Sequence, residues 1–546
     1  MKKTSSFPPS VSGERLDSWK EIGSYLNRDA RTAQRWERTK RLPVRRLPGG
    51  DMARVYALKS ELDAWRSSRG IYLQPESQPL PPEAAPAPSV AVLPFLNLAS
   101  DRDQYFADGL ADEIITALSR VPVLRVTART SSFAFRGKER DIREIGRRLN
   151  AGTVLEGSFR RSGSRIRVTA QLVETSEGYH LWSERFDRDL TDVFSIQDDI
   201  TRAIVNAVRV RLTHALRPAT PPTANPAAYH LWLKGRYHTL RQTPNEIFSS
   251  RELFGQAIAI DSGFARAHLG LAESWWEGAA FGLDRPREAV AIGRPSVLKA
   301  LEIDPTLGEA YAMLGVYLAV HDFDWEAAER AFRRGLELSP GSSEVRTRYA
   351  AWLLEPNLRL DEARAQLDLA LELDPLSSVI HGCLGHDLIF QRDFPRAAEE
   401  LQLAVELEPC YWTAHVYLAG AYAFQGRFDK SIATLEKVLE AAGASPLVIG
   451  SNACVHAVVG DRQRAEELRK LLIESSAHYL PALAVAWIHL GLGEPEPCLD
   501  WLEKAVYERD PLIVEFQPKP LYDSVRVHPR FQALLSTMCL AKRQVI

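Results

Sequence analysis

The chain has 546 residues, 45% apolar and 25% charged, the make-up of soluble globular protein and enough length for about three to five domains. A net charge of −2 excludes a molecule that binds polyanions by bulk charge, and the lack of any run of about 18 apolar residues excludes a membrane-spanning helix. The five cysteines, Cys383, Cys410, Cys454, Cys498 and Cys539, lie in the C-terminal half with no C-x-x-C pair, which argues against a zinc site and against a disulfide framework.

Residues 1–18 hold two lysines, then Pro8, Pro9 and polar residues, with no apolar stretch of the kind a signal peptide needs, so a cytoplasmic location is expected. Charge is unevenly spread. Glu14 to Arg69 carries 14 Lys/Arg against 8 Asp/Glu, and the remainder carries 54 against 62. A basic head on an acidic body fits a nucleic-acid module joined to a protein-binding one. Two proline-rich segments, 71–88 and 217–226, read as extended linkers. The expected division is therefore 14–70, 89–216, a repeat region 227–510 and a cap 511–546.

In the head, Ser18-Trp19-Lys20-Glu21 forms a capping box, and Ile22, Tyr25 and Leu26 give the following helix an apolar face. Asn27-Arg28-Asp29 is a tight polar turn with Asp29 as the next N-cap. A second helix is expected from Ala30 to about Arg38, stopped before Pro43. Val44–Leu47 and Arg54–Tyr56 flank Pro48-Gly49-Gly50-Asp51, a hairpin signal, and Ser60 starts a last helix with Leu62 and Trp65 inward. Two helices across a short turn, followed by a hairpin, make a helix-turn-helix with a wing, whose second helix enters the major groove. Arginine pairs with guanine and glutamine with adenine, so Arg31, Thr32, Gln34 and Arg35 are the candidate base readers. Arg28, Arg38, Arg45, Arg46 and Arg54 are placed as phosphate clamps, which position the protein without reading sequence. Trp19, Trp36 and Trp65 fall on apolar faces and are expected in the core. Trp19–Ile22, Thr32–Glu37, Leu42-Pro43-Val44, Leu47–Gly50 and Ser60–Trp65 together resemble the MerR/excisionase-type winged helix-turn-helix. That resemblance implies double-stranded DNA as a partner.

The middle region opens on the buried-strand run Val90–Phe95. An amphipathic helix follows over Tyr105–Ser119, then a strand at Leu124–Thr127, a helix over Asp141–Leu149, strands at Thr153–Arg161 and Ile166–Glu174, and a closing helix over Phe194–Leu216. A small α/β sandwich is expected. Phosphate-loop, dinucleotide, metalloprotease and nucleophile-elbow motifs are all absent, so no enzyme activity, cofactor or metal is expected. Asp108, Asp112 and Glu113 read as helix-dipole partners, and His180, Trp182, Asp187 and Asp189 as packing and turn residues. Val90–Phe95, Tyr105–Leu110, Arg129–Phe133, Val154–Ser158, Arg167–Leu172 and His180–Glu184 resemble the N-terminal domain of the TolB-like family. In that family the domain often lies between an output module and tetratricopeptide repeats.

The last region is periodic. Phe332, Leu367, Leu401 and Leu435 recur, as do Ala328, Ala363, Ala397 and Ser431, and Pro375 and Pro409 differ by 34, the tetratricopeptide period. About eight helix pairs in an all-α solenoid are expected, capped by Pro511–Met538. Such arrays bind a protein or peptide on their concave face. Carboxylate-clamp positions hold Ala312, Val316, Gly382, His386, Val416 and Gly420, with Arg348 the exception, so an apolar groove or a purely architectural solenoid is expected. His381, His386 and His415 read as packing residues. The whole is read as a DNA-binding transcriptional regulator with a TolB-like and tetratricopeptide sensing region. The alternative is an adaptor in which every part binds protein.

Overall fold

A computed structural model of the chain describes residues 15–26, 33–34, 37, 42–46, 55–68, 88–98, 104–119, 121, 124–136, 141–189, 199–200, 202–203, 223, 225–239, 244–442, 445–476 and 479–540. They fall into two compact units, Met1–Pro86 and Ala87–Ile546.

In the first unit, β1 (Arg15–Leu16), β2 (Arg45–Arg46) and β3 (Val55–Leu58) form an antiparallel sheet in the order β1-β3-β2, with Arg45 opposite Tyr56 and Arg46 opposite Val55. Helix α1 (Trp19–Tyr25) starts as its sequence dictates. Ser18 Oγ accepts from the Glu21 amide at 3.1 Å, while Glu21 reaches back to the Asp17 amide at 2.8 Å, one residue before the cap. Ile22, Leu26, Ala33, Leu42, Val55, Ala57, Leu62 and Trp65 bury a small core beneath α2 (Lys59–Ser68).

The second unit begins with a six-stranded mixed sheet in the order β6-β4-β7-β8-β9. It comprises β4 (Ser89–Val92), β6 (Arg125–Val126), β7 (Thr153–Ser162), β8 (Arg165–Glu174) and β9 (His180–Asp189), with β5 (Leu96–Asn97) also pairing with β7. Contacts among β4, β5, β6 and β7 are parallel, and β7-β8-β9 is an antiparallel meander. Helices α3 (Gln104–Ser119), α4 (Arg129–Phe133) and α5 (Ile142–Leu149) complete this part. The segment His180–Asp189 is a ten-residue strand rather than a turn. Only Phe186 in it is fully buried, so it lacks the alternation that marks a strand in sequence. Of the expected closing helix, 199–200 and 202–203 are helical, and the rest lies outside the described residues.

Gly157 sits where β7 crosses Phe95. A Cβ there would run into the Thr169 carbonyl oxygen and lie 2.5 Å from Phe95 Cε1. Gly157→Ala is expected to cost about 1–3 kcal/mol by overpacking, read as a lowered melting midpoint for the sheet.

Eight helix pairs follow among the described residues, from Pro226–Thr239 with Pro244–Ile260 to Ala482–Gly491 with Pro495–Glu508. Gly385 lets Leu401 of the second helix approach, as Gly315 does for Phe332. Asp324, Asp393 and Asp461 cap every other second helix from Trp325–Leu338 to Arg462–Ser475. One residue in the left-handed region marks each turn before them: Phe323, Arg392 and Gly460. Short 3₁₀ turns at Pro511–Phe516 and Pro520–Tyr522 and the helix Pro529–Thr537 close the described chain. Residues from Ala265 to Leu540 share one core, and Trp325 Nε1 donates to the Met538 carbonyl at 2.8 Å. The coil is tight enough that Phe281 packs edge-on against Trp412, 4.8 Å between ring centroids.

Candidate functional site

Arg28, Arg31, Thr32, Arg35, Arg38 and Arg54 lie outside the described residues. Gln34 is half-buried on a helical segment with Ala33. Arg45 and Arg46 are exposed on β2. Arg45 pairs with Glu61, and Arg46 forks onto Glu37 at 2.9 and 3.1 Å. Both guanidiniums are more than half exposed, so these pairs contribute little to stability and are readily exchanged for another anion.

The better-defined site is in the second unit, where the sheet part docks onto the solenoid. The Ala128 amide donates to the Leu373 carbonyl at 2.8 Å. The Ser131 amide donates to Asp374 Oδ1 at 2.9 Å, its hydroxyl donates to the same oxygen, and that hydroxyl accepts from the Leu376 amide at 2.6 Å. The acids of α3, expected to serve the helix dipole, instead make ion pairs. Asp108 meets Arg136 at 2.5 Å, Asp112 meets Arg236 at 3.3 Å and Arg129 at 3.9 Å, and Glu113 meets Arg266. The helix starts at Gln104, so these residues stand past its first turn, where the dipole has little hold on them.

Between α3 and α4, the first helices of several repeats and the Pro511–Lys519 segment lies a cavity of about 710 Å³. Its wall is largely apolar, with ion pairs set among the apolar side chains. Arg348 bridges Glu273 at 3.0 Å and Glu344 at 2.7 Å. His386 stacks on Tyr417 (ring centroids 4.0 Å apart) and stands 3.6 Å from Glu515, which also takes Lys519 at 2.5 Å. Glu355 closes a π-helical turn, its amide donating to the Ala350 carbonyl at 3.0 Å, and its side chain is 2% exposed. His381 and His415 bond to the Pro375 and Pro409 carbonyls at 3.2 and 3.0 Å, and His381 Nδ1 also meets Glu400 at 2.8 Å.

Burial dominates the titration of this cluster. It raises Glu277 to about 8, helped by Glu273, and raises Glu355 well above the carboxyl range, helped by Asp387 and Glu515. Burial would also raise Glu515, but Lys519 and His386 outweigh it and hold the carboxyl at about 2. Burial lowers His386 despite Glu515. Asp510 is pushed up to about 7 by burial. A carboxyl whose folded pKa exceeds its unfolded one holds its proton more tightly in the native state, so its contribution to stability is lost as pH rises. His386 acts oppositely below its ordinary 6.5, which makes pH 6.5 upward the clean window. Raising the pH from 6.5 to 9 is expected to remove about 2 kcal/mol of stability through Glu277 alone in urea unfolding, with Glu355 and Asp510 adding losses of the same sign. Glu277→Gln should reduce the slope by the Glu277 share and leave the rest.

Motif reasoning missed Glu273, Glu277, Glu355 and Glu515 because no short pattern contains them. The available signal was the pair Glu273 and Glu277, four residues apart on one first helix among apolar neighbours.

Among the described residues, no helix is long and apolar enough to cross a membrane and no cluster of metal-ligating side chains occurs. Human IFIT1 is 15% identical over 58% of this chain and 76% of its own, with a TM-score of 0.39. PilF of Pseudomonas aeruginosa is 19% identical over 40% and 95%, with a TM-score of 0.31. A protein of Rhizobium meliloti (strain 1021) named "Putative adenylate cyclase 3" is 45% identical over 194 residues, 35% of this chain, and this chain spans 33% of that protein's length. This likeness to part of a protein named as a cyclase overturns the expectation that the chain has no enzyme activity. A search for short nucleotide-binding motifs does not detect similarity of that kind. Residues 86–203 match the family described as HilA/YgeH-like transcriptional regulator, second domain, and residues 414–444 match a tetratricopeptide repeat, so the chain carries a regulator-type domain followed by repeats.

Proposed function

We propose that the chain is a transcriptional regulator in which 14–70 is a MerR/excisionase-like winged helix-turn-helix on double-stranded DNA. In this reading 89–216 is a TolB-like domain and 227–510, capped by 511–546, is a tetratricopeptide solenoid that receives a signal or protein partner in the cytoplasm. The observation that carries it is the match of residues 86–203 to a transcriptional-regulator domain directly behind a basic head. Arg31, Thr32, Gln34 and Arg35 read bases, and Arg28, Arg38, Arg45, Arg46 and Arg54 hold phosphates. The test is salt-titrated binding of the full chain to genomic DNA fragments. If no fragment binds at low salt, the reading fails.

The relative's name supports a second reading, in which the chain takes part in converting ATP to cyclic AMP. Incubating purified chain with ATP and a divalent cation, and measuring cyclic AMP, decides it.

A further inference from the structure

The cavity between α3, α4 and the solenoid is lined by more carboxyl groups than cationic ones. Each cationic side chain on its wall has a carboxylate: Arg129 and Arg236 share Asp112, Arg266 has Glu113, Arg348 has Glu273 and Glu344, and Lys519 has Glu515. Glu277 and Glu355 line the same cavity with no Lys or Arg ion pair among the described residues. Glu277 Oε2 and Glu355 Oε1 are buried with no hydrogen-bond partner there. Such an atom is left unsatisfied by the fold itself. Around these carboxyls stand aromatic faces: Trp276 and Trp352 meet edge-on, 5.1 Å between centroids, and Trp412 and Tyr417 line the same space.

We infer that this cavity binds a small organic cation, its ammonium or guanidinium group taken by Glu355 and Glu277 and its carbon body held against Trp276, Trp352 and Trp412. Carboxylates lacking a partner beside tryptophan faces supply both attractions such a ligand needs, ionic and cation–π. A cavity of about 710 Å³ suits a compact ligand. An anion is disfavoured because the wall carries more carboxyl groups than guanidinium and ammonium groups, although Arg129 and Arg236 share one carboxylate and Arg348 Nη1 keeps an unused hydrogen. Affinity is coupled to pH, because a bound cation favours the ionised carboxylates and displaces their protons. Glu273, Glu344, Arg348 and Arg251 surround Glu277, while Asp387, Glu515 and His386 surround Glu355.

This inference specifies the signal in the proposed function, but its experiment contains no DNA, so the two can fail separately. Choline, putrescine and agmatine are titrated into the full chain by calorimetry and tryptophan fluorescence, with 3,3-dimethyl-1-butanol as the neutral counterpart of choline. At least one cation is expected to bind, releasing protons to the buffer and binding more tightly at pH 8 than at pH 6, whereas the neutral alcohol does not bind. Glu355→Gln is expected to weaken binding by roughly ten- to a hundred-fold. Glu277→Gln, at a less deeply buried residue, should weaken it and reduce the proton release, and it serves should Glu355→Gln fail to fold. Failure of every cation at about 10 mM overturns the inference. Equal binding of the neutral alcohol, full affinity in both variants, or binding of ATP or cyclic AMP in place of the cations overturns it too.

Discussion

Replacing Arg266 with alanine is expected to destabilise the docking of the sheet part on the solenoid by about 3–5 kcal/mol, the cost of breaking a buried ion pair from one side. Arg266 is 17% exposed and Glu113 only 8%, so little water can replace the lost guanidinium. Burial pulls the Arg266 pKa down, and Glu113 more than restores it, which is the signature of a pair made inside the protein. The guanidinium also lies 5.7 Å from the Trp232 ring centroid, a second contact that alanine removes. Urea unfolding followed by fluorescence should show the loss, and limited proteolysis should show earlier cleavage within residues 87–203. The double variant Arg266→Ala with Glu113→Gln should recover a large part of the stability, because it no longer buries a carboxylate after its partner is gone. A loss under about 1 kcal/mol in the single variant would mean that the pair behaves as a solvent-screened surface contact.

Binding of the full chain to DNA is expected to fall several hundred-fold between 50 and 200 mM salt, if the five proposed arginine clamps each neutralise one phosphate at about 0.9 counterions released per contact. Arg45→Ala and Arg46→Ala should each lower the slope of log affinity against log salt by about one, with a roughly uniform loss across sequences. Their pairs with Glu61 and Glu37 do not prevent this, because both are exposed and a phosphate can compete for the guanidinium. Arg31→Ala or Arg35→Ala should instead cost about 1–3 kcal/mol at a preferred site and relax its sequence preference. A salt-independent affinity, or an unchanged slope in the Arg45 and Arg46 variants, would show that charge on β2 does not meet the DNA backbone.

Local sequence was legible where one signal sufficed. Ser18 caps α1 because a short hydroxyl beside free amides has little alternative, and the Gly385–Leu401 and Gly315–Phe332 contacts recur because the 34-residue period repeats their environment. The strand His180–Asp189 was not legible, since an edge strand with polar residues on both faces carries no hydrophobic alternation. The likeness to a protein named "Putative adenylate cyclase 3", 45% identical over 194 residues, was not legible from short motifs, because overall identity between two chains is not a property of either sequence read alone.

The chain alone determined the period of the repeats, the caps of the helices and the excess of positive charge in the head, because these depend on residues close in sequence or on simple counts. Only the tertiary structure decided that Asp112 and Glu113 of α3 face arginines more than a hundred residues away, and that Glu277 and Glu355 share one cavity with five tryptophans. The energy of a buried charge is set by what the fold brings within a few ångströms of it, and spacing along the chain carries no record of that distance.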